Sequence, residues 1–271
     1  MKIAASVSCN ALLFKNGTLV ERVISDKEYR QKNIGDIFNK LHKAGIDGIE
    51  LSIPNSFSSD DLLAVKKILS KHSVNVLSIH QPIRLMSYSS MEEIEKIFII
   101  AKELQASRIV FHIDMVSKRF HDKKNILLIK KFEKTYHVLA CFENMQHHHV
   151  LWRNKLFWQE EAFQNFMQKN QLHITLDTSH LAQTKKDIIL FFKKNKNLIE
   201  NIHISDYKPH PFSSSLLANY LFHLPFGKGD LPIKNFLLAL KEANYSGHIT
   251  TEINGSIEDK CMSIKMIKQY T

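Results

Sequence analysis

Glycine is scarce in this chain, with eight in 271 residues, and none of them form the clustered phosphate-binding loop carried by a doubly wound nucleotide-binding sheet. Cysteine is scarcer still. Cys9, Cys141 and Cys261 are odd in number and far apart, which excludes a disulfide framework and the paired spacings of a zinc module, and fits a reducing cytoplasm. No apolar run approaches the roughly 18–20 residues that cross a bilayer, so no membrane partner is expected. Residues 1–9 are too short and too polar a stretch for a secretion signal and read as a first strand. Internal repeats and low-complexity linkers are also missing, and 44% hydrophobic with 24% charged residues suits one large core. One domain over residues 1–271 is expected.

Basic residues are in excess, giving a formal net charge of +10. That surplus suits a phosphorylated substrate or a nucleic acid. The cations are mostly lysines, however, scattered rather than clustered among aromatics. Lys66, Lys67 and Lys71, or Lys193, Lys194 and Lys196, read as solvated helix faces. A small molecule is the expected partner, with nucleic acid second, and no helix face decides the oligomeric state.

What the chain does have is rhythm. Eight short β-branched or apolar runs, at 3–8, 48–51, 74–80, 108–112, 136–143, 173–177, 199–205 and 248–252, each close on a polar or ionisable residue and lead into a helix-like segment. Ser90 and Glu93 form a capping box before one helix, and Asp230 is expected to cap another with Pro232 in its first turn. Gly45 and Gly247, just before strands, are expected to be left-handed helix stops. Eight β-α units in this length are the pattern of a closed α/β barrel, (β/α)8, the TIM barrel. The long connections 144–161 and 206–230 read as candidate lids.

The runs end on Glu50, His80, His112, Glu143, Asp177 with His180, His203 and Glu252. A parallel barrel gathers such positions at one rim. Carboxylates and imidazoles packed together repel or desolvate one another unless a cation compensates them, so a divalent-metal site is expected. Glu143, Asp177, His203 and Glu252 suit manganese, magnesium or cobalt, while the further histidines favour zinc. Other features weigh less. The triplet His147, His148 and His149 reads as a solvated loop; Trp152, Phe157 and Trp158 suit either a sugar face or helix packing; Arg84 and Lys228 are possible phosphate partners.

Taken in order, the segments 141–144 (CFEN), 176–180 (LDTSH), 201–206 (NIHISD) and 245–252 (YSGHITTE) resemble the xylose-isomerase-like barrels. That superfamily includes sugar and sugar-phosphate isomerases and epimerases, inosose dehydratases, hydroxypyruvate isomerases and the endonuclease IV repair enzymes. Similarity to its epimerases implies one ion held by Glu143, Asp177, His203 and Glu252. It implies proton abstraction beside a carbonyl through a metal-stabilised enediolate, with Glu143 and Glu252 as base and acid. His80, His112, His180, His223 and Glu50 are then the expected substrate contacts. The substrate would be a small sugar, polyol or sugar phosphate. Similarity to endonuclease IV implies instead a zinc cluster on His80, His112, Glu143, Asp177, His180, His203, His223 and Glu252 that incises DNA at abasic sites. Leu221, two residues before His223, departs from that pattern where an aspartate is required. A barrel that keeps the site but only binds is a third expectation.

Overall fold

The computed structural model of the chain describes residues 1–13, 34–82, 89–113, 122–145, 160–209 and 222–271. Eight parallel strands close into a barrel: β1 (Lys2–Ser8), β2 (Gly48–Ser52), β3 (Val76–His80), β4 (Arg108–His112), β5 (Leu139–Glu143), β6 (His173–Asp177), β7 (Ile199–Ile204) and β8 (His248–Thr251). Each strand pairs with the next, and Lys2 opposite His248 and Ala4 opposite Gly48 tie β1 to both its neighbours. The described helices are α1 (Cys9–Leu12), α2 (Ile34–Ala44), α3 (Ser59–Lys71), α4 (Met91–Glu103), α5 (Lys123–Tyr136), α6 (Glu160–Asn170), α7 (Thr178–Gln183), α8 (Ile188–Asn195), α9 (Ile233–Glu242) and α10 (Ile257–Tyr270). None is long and apolar enough to cross a membrane.

The period of two along each strand sorts the side chains. Ile49, Leu51, Ile109, Phe111, Phe142 and Ile202 belong to the apolar layer shared with the helices, where the Phe98 and Phe111 rings lie 6.1 Å apart. Many of the alternate positions are polar, with Val110 and Cys141 among the exceptions. Ser78, Asn201 and Thr250 meet Glu50 at mid-depth, and the imidazoles and carboxylates lie above them. A barrel interior is ordinarily filled by branched apolar residues, so this polar axis marks where function displaced packing.

The scarcity of glycine is felt at the turns from helix to strand. Gly45 adopts φ +101, but Ser73, Gln105, His137, Gln171 and Asn244 take the same left-handed position after α3, α4, α5, α6 and α9. Gly247 is therefore not the left-handed stop that its place before a strand suggests; Asn244 is. Glycine is required at 247 for another reason, because a Cβ there would lie 2.2 Å from the Tyr245 hydroxyl and 2.6 Å from the Glu200 carbonyl. Ser90 and Glu93 do form their capping box, and Ser58 with Asp61 and Ser256 with Asp259 form two more. Asp230 does not cap α9: Pro232 holds the N-cap position and no side chain caps the helix. Residues 136–138 belong to the end of α5 and its left-handed turn rather than to β5, and β3 begins at Val76 rather than at 74.

Candidate active site

The site is built where the C-terminal ends of β3 to β8 converge. Strand register sets the neighbours: His112 pairs with Glu143, Asp177 with His203, and His203 with Thr250. Glu143, Asp177 and His203 are at most 1% exposed, whereas the Glu252 side chain, one residue beyond β8, is 27% exposed.

Asp177 is the most heavily organised of these groups. Its Oδ1 accepts from the His180 amide at 2.6 Å and the Ser179 hydroxyl at 3.0 Å, as the N-cap of α7. The Asn144 side chain clamps its main chain, accepting from the Asp177 amide at 2.8 Å and donating to the Asp177 carbonyl at 3.1 Å. Only Oδ2 is left over, buried and without a hydrogen bond.

Glu143 gathers histidines on both oxygens. His112 Nε2 lies 3.1 Å and His80 Nε2 3.7 Å from Oε2; His180 Nδ1 lies 3.0 Å and His203 Nδ1 3.6 Å from Oε1. His80 must donate through Nδ1 to the Gln81 carbonyl at 2.9 Å, so its Nε2 faces His112 Nε2, 3.2 Å away. His203 stands between two carboxylates, Nε2 at 2.9 Å from Glu50 Oε1 and Nδ1 at 2.7 Å from Glu252 Oε2. These contacts are close but poorly aligned. Both Glu143 oxygens, Asp177 Oδ2, Glu252 Oε2 and both His203 nitrogens are buried without a hydrogen-bond partner.

Burial and charge act against each other here. Burial pushes His180 down, but Asp177 and Glu143 more than reverse it and raise its pKa to about 10. Burial likewise opposes, and the Glu50, Glu252 and Glu143 charges overcome it, for His203, which is raised well above the usual imidazole range. His80 is raised in the same way, chiefly by Glu143. Burial would raise Glu143, yet His112, His180 and His203 hold it well below the usual carboxylate range, and Glu252 is lowered against burial by His203 and His223. Protons on imidazoles thus balance the carboxylates.

The donor set fits a divalent ion. One ligand atom each from Glu143, Asp177, His203 and Glu252 lie within 4.8 Å of one another. The same holds for His80, His112 and Glu143, for His80, His203 and Glu252, and for Asp177, His180 and His223. Buried oxygens and nitrogens that lack hydrogen bonds yet converge are what a cation satisfies.

The loop bringing His223 to the rim is organised by Asp206, which sequence reasoning quoted in a motif without giving it a role. Its Oδ2 accepts from the Gly227 and Gly229 amides at 3.0 Å each, and its Oδ1 from those of Tyr207 and Leu231. A Cβ at Gly229 would lie 2.3 Å from Oδ1, so glycine is required there. His223, at φ 57, places Nδ1 within 3.3 Å of the Ser179 and Ser205 hydroxyls. Asn144, Ser179 and Ser205 were likewise missed as supports; their only signal is adjacency to the acidic and imidazole residues.

All the expected site residues except Glu50 gather at this rim. Glu50 lies in the middle of β2, fully buried beneath the others. Lys228 is exposed on the loop after His223. Arg84, the triplet His147 to His149, Trp152, Phe157, Trp158 and Leu221 lie outside the described residues, as do most of the connection 144–161 and the stretch 210–221 of the connection 206–230.

The family model described as "Xylose isomerase-like TIM barrel" matches residues 38–269. Protein ML2432 of Mycobacterium leprae is 25% identical over 245 residues, covering 81% of this chain and 83% of the relative. Among solved structures, a D-tagatose 3-epimerase-like protein superposes with TM-score 0.66 at 20% identity, covering 100% of this chain and 97% of the other. D-allulose 3-epimerase from Methylomonas sp., in complex with D-allulose, gives 0.66 at 13% identity, covering 100% and 98%. At such identities the likeness is one of fold.

Proposed function

The chain belongs to the xylose isomerase-like TIM-barrel family, and from that premise we propose that it is a divalent-metal-dependent isomerase or epimerase of a small sugar, polyol or sugar phosphate. The observation carrying this reading is the convergence of Glu143, Asp177, His203 and Glu252 with buried, unbonded donor atoms. Manganese, magnesium or cobalt suits that oxygen-rich set.

An ion bound there supplies a Lewis acid that polarises a carbonyl and acidifies the C–H beside it. The remaining work falls to side chains. Asp177, with Oδ1 and its backbone already engaged, presents Oδ2 in a fixed direction. Glu143 and Glu252 stand three strands apart around the rim and reach a substrate over the axis from different sides, one removing a proton and the other returning it. His223, braced at Nδ1 by two hydroxyls, turns its other edge to the substrate with His80, His112 and His180. The sugars named for the D-tagatose 3-epimerase-like protein and D-allulose 3-epimerase support trying free ketoses first.

The test is solvent exchange. Metal-loaded protein in D2O with a panel of ketoses and ketose phosphates, followed by NMR, is expected to place deuterium on the carbon beside the carbonyl. Glu143→Gln and Glu252→Gln should each slow that exchange by about 10²–10⁴-fold. Exchange unaffected by both substitutions contradicts the assignment.

A second reading, an endonuclease IV-like zinc enzyme acting at abasic sites, is favoured by one observation. The groups His80, His112, Glu143 and Asp177, His180, His223 flank the first and are chained to it through Glu143 and Asp177. Incision of an abasic-site duplex, with no exchange in any ketose, would replace the isomerase reading by this one.

A further inference from the structure

Glu50 is a carboxylate in the middle of the barrel, fully buried and away from the rim where substrate enters. Oε2 is anchored from three other strands, by the Ser78 hydroxyl at 2.6 Å, the Asn201 amide at 3.4 Å and the Thr250 hydroxyl at 3.5 Å. Oε1 receives no aligned hydrogen bond and lies 2.9 Å from His203 Nε2. His203 turns its other nitrogen, Nδ1, toward Glu252 and Glu143. A core that needed only volume would be served as well by an amide or a thioether, without burying a charge.

We propose that Glu50 is a positioning residue for His203: its carboxylate, fixed by Ser78, Asn201 and Thr250, holds the Nε2–H end of the ring, so that Nδ1 is the atom offered to the ion. This rests on the metal site proposed above and adds to it the support that sets the tautomer of its one imidazole. A carboxylate behind a ligating imidazole fixes the ring and raises its basicity, and loss of such a partner typically weakens metal binding about 10–100-fold. Glu50 also adds negative charge beneath the cation without taking up a coordination position. Its three anchors explain why the small polar residues Ser78, Asn201 and Thr250 occupy axis positions where a barrel usually carries Val, Ile or Leu.

The experiment uses the full chain, stripped of metal, and titrates zinc and manganese into wild type and Glu50→Gln by calorimetry. Long-range 1H–15N spectra of zinc-loaded, histidine-labelled protein report the ring nitrogens, with His203 assigned through His203→Asn. Expected are binding weakened about 10–100-fold in Glu50→Gln, and in wild type a His203 ring protonated at Nε2 and bound through Nδ1. The spectrum of wild type keeps the inference falsifiable even if the variant does not fold: a ring bound through Nε2 overturns it. Binding by Glu50→Gln equal to wild type overturns it as well, while leaving the metal site standing. No binding by wild type overturns the metal site, and this inference with it.

Discussion

At the scale of single residues, the two ends of the barrel axis use histidine in opposite ways. At the rim, carboxylates raise His80, His180 and His203. At the other end, Arg108 donates from Nη1 to His248 Nε2 at 2.7 Å and from Nη2 to Glu200 at 2.8 Å, so His248 must be neutral. Burial, with the Arg108, Lys2 and N-terminal charges, lowers its pKa to about 3. Below pH 6.5 the unfolded chain takes up a proton that the folded chain refuses. The contribution of His248 to stability is therefore complete above pH 6.5 and is lost as the pH falls toward 3. Urea denaturation of wild type and His248→Gln at pH 7 and pH 4.5 checks this: the variant should lose less stability between the two, and equal losses contradict it.

The residues at strand ends were legible because a parallel barrel maps the last position of every strand to one rim. Their wiring was not. That Glu50 lies beneath His203 depends on register among β2, β3, β7 and β8, which no local pattern encodes. That Asp177 keeps a single free carboxylate oxygen depends on the Ser179 hydroxyl and the His180 amide, and that its main chain is clamped depends on Asn144; Asn and Ser are types equally at home in any loop.

At the scale of elements, strands are legible as short β-branched or apolar runs and one helix start as the Ser90 and Glu93 capping box, because both signals are local and chemical; Ser58 with Asp61 and Ser256 with Asp259 carry a like signal that went unread in the sequence. Helix ends were harder. With few glycines, left-handed turns fall to Ser73, Gln105, His137 and Gln171, whose types carry no such signal, and the turn at His137 was absorbed into an overlong strand. These positions also store strain. Gln105 and Gln171 have exposed side chains, so Gln105→Gly and Gln171→Gly remove little packing. Each is expected to stabilise the fold by about 0.5–1 kcal/mol, the cost of the left-handed conformation less the entropy of the freer glycine. Chemical denaturation measures it, and destabilisation by both would contradict the account of the turns.

At the scale of the whole molecule, the barrel is closed by hydrogen bonds between neighbouring strands, and the site ties the ends of four consecutive strands together through their side chains. An ion held by Glu143, Asp177, His203 and Glu252 cross-links β5, β6, β7 and the end of β8, and binds only the folded chain. Metal at 100 times its dissociation constant should therefore add about 2.7 kcal/mol, or roughly 5–10 °C in thermal midpoint, reversed by chelation. A midpoint indifferent to metal would separate the site from the stability of the fold.

The most direct measurement is calorimetric titration of manganese and zinc into metal-stripped protein, in two buffers of different ionisation enthalpy, alongside Asp177→Asn. Against burial, the Glu50, Glu252 and Glu143 charges hold the ligand imidazole, His203, well above the usual range, so it carries a proton at neutral pH that the ion must displace. Binding should therefore release protons and tighten as the pH rises. The account predicts saturable binding of about one manganese per chain with proton release, lost in Asp177→Asn. Two or three zinc ions per chain would move the assignment to the endonuclease IV-like reading. Absence of saturable binding, or binding that Asp177→Asn leaves intact, would contradict the account.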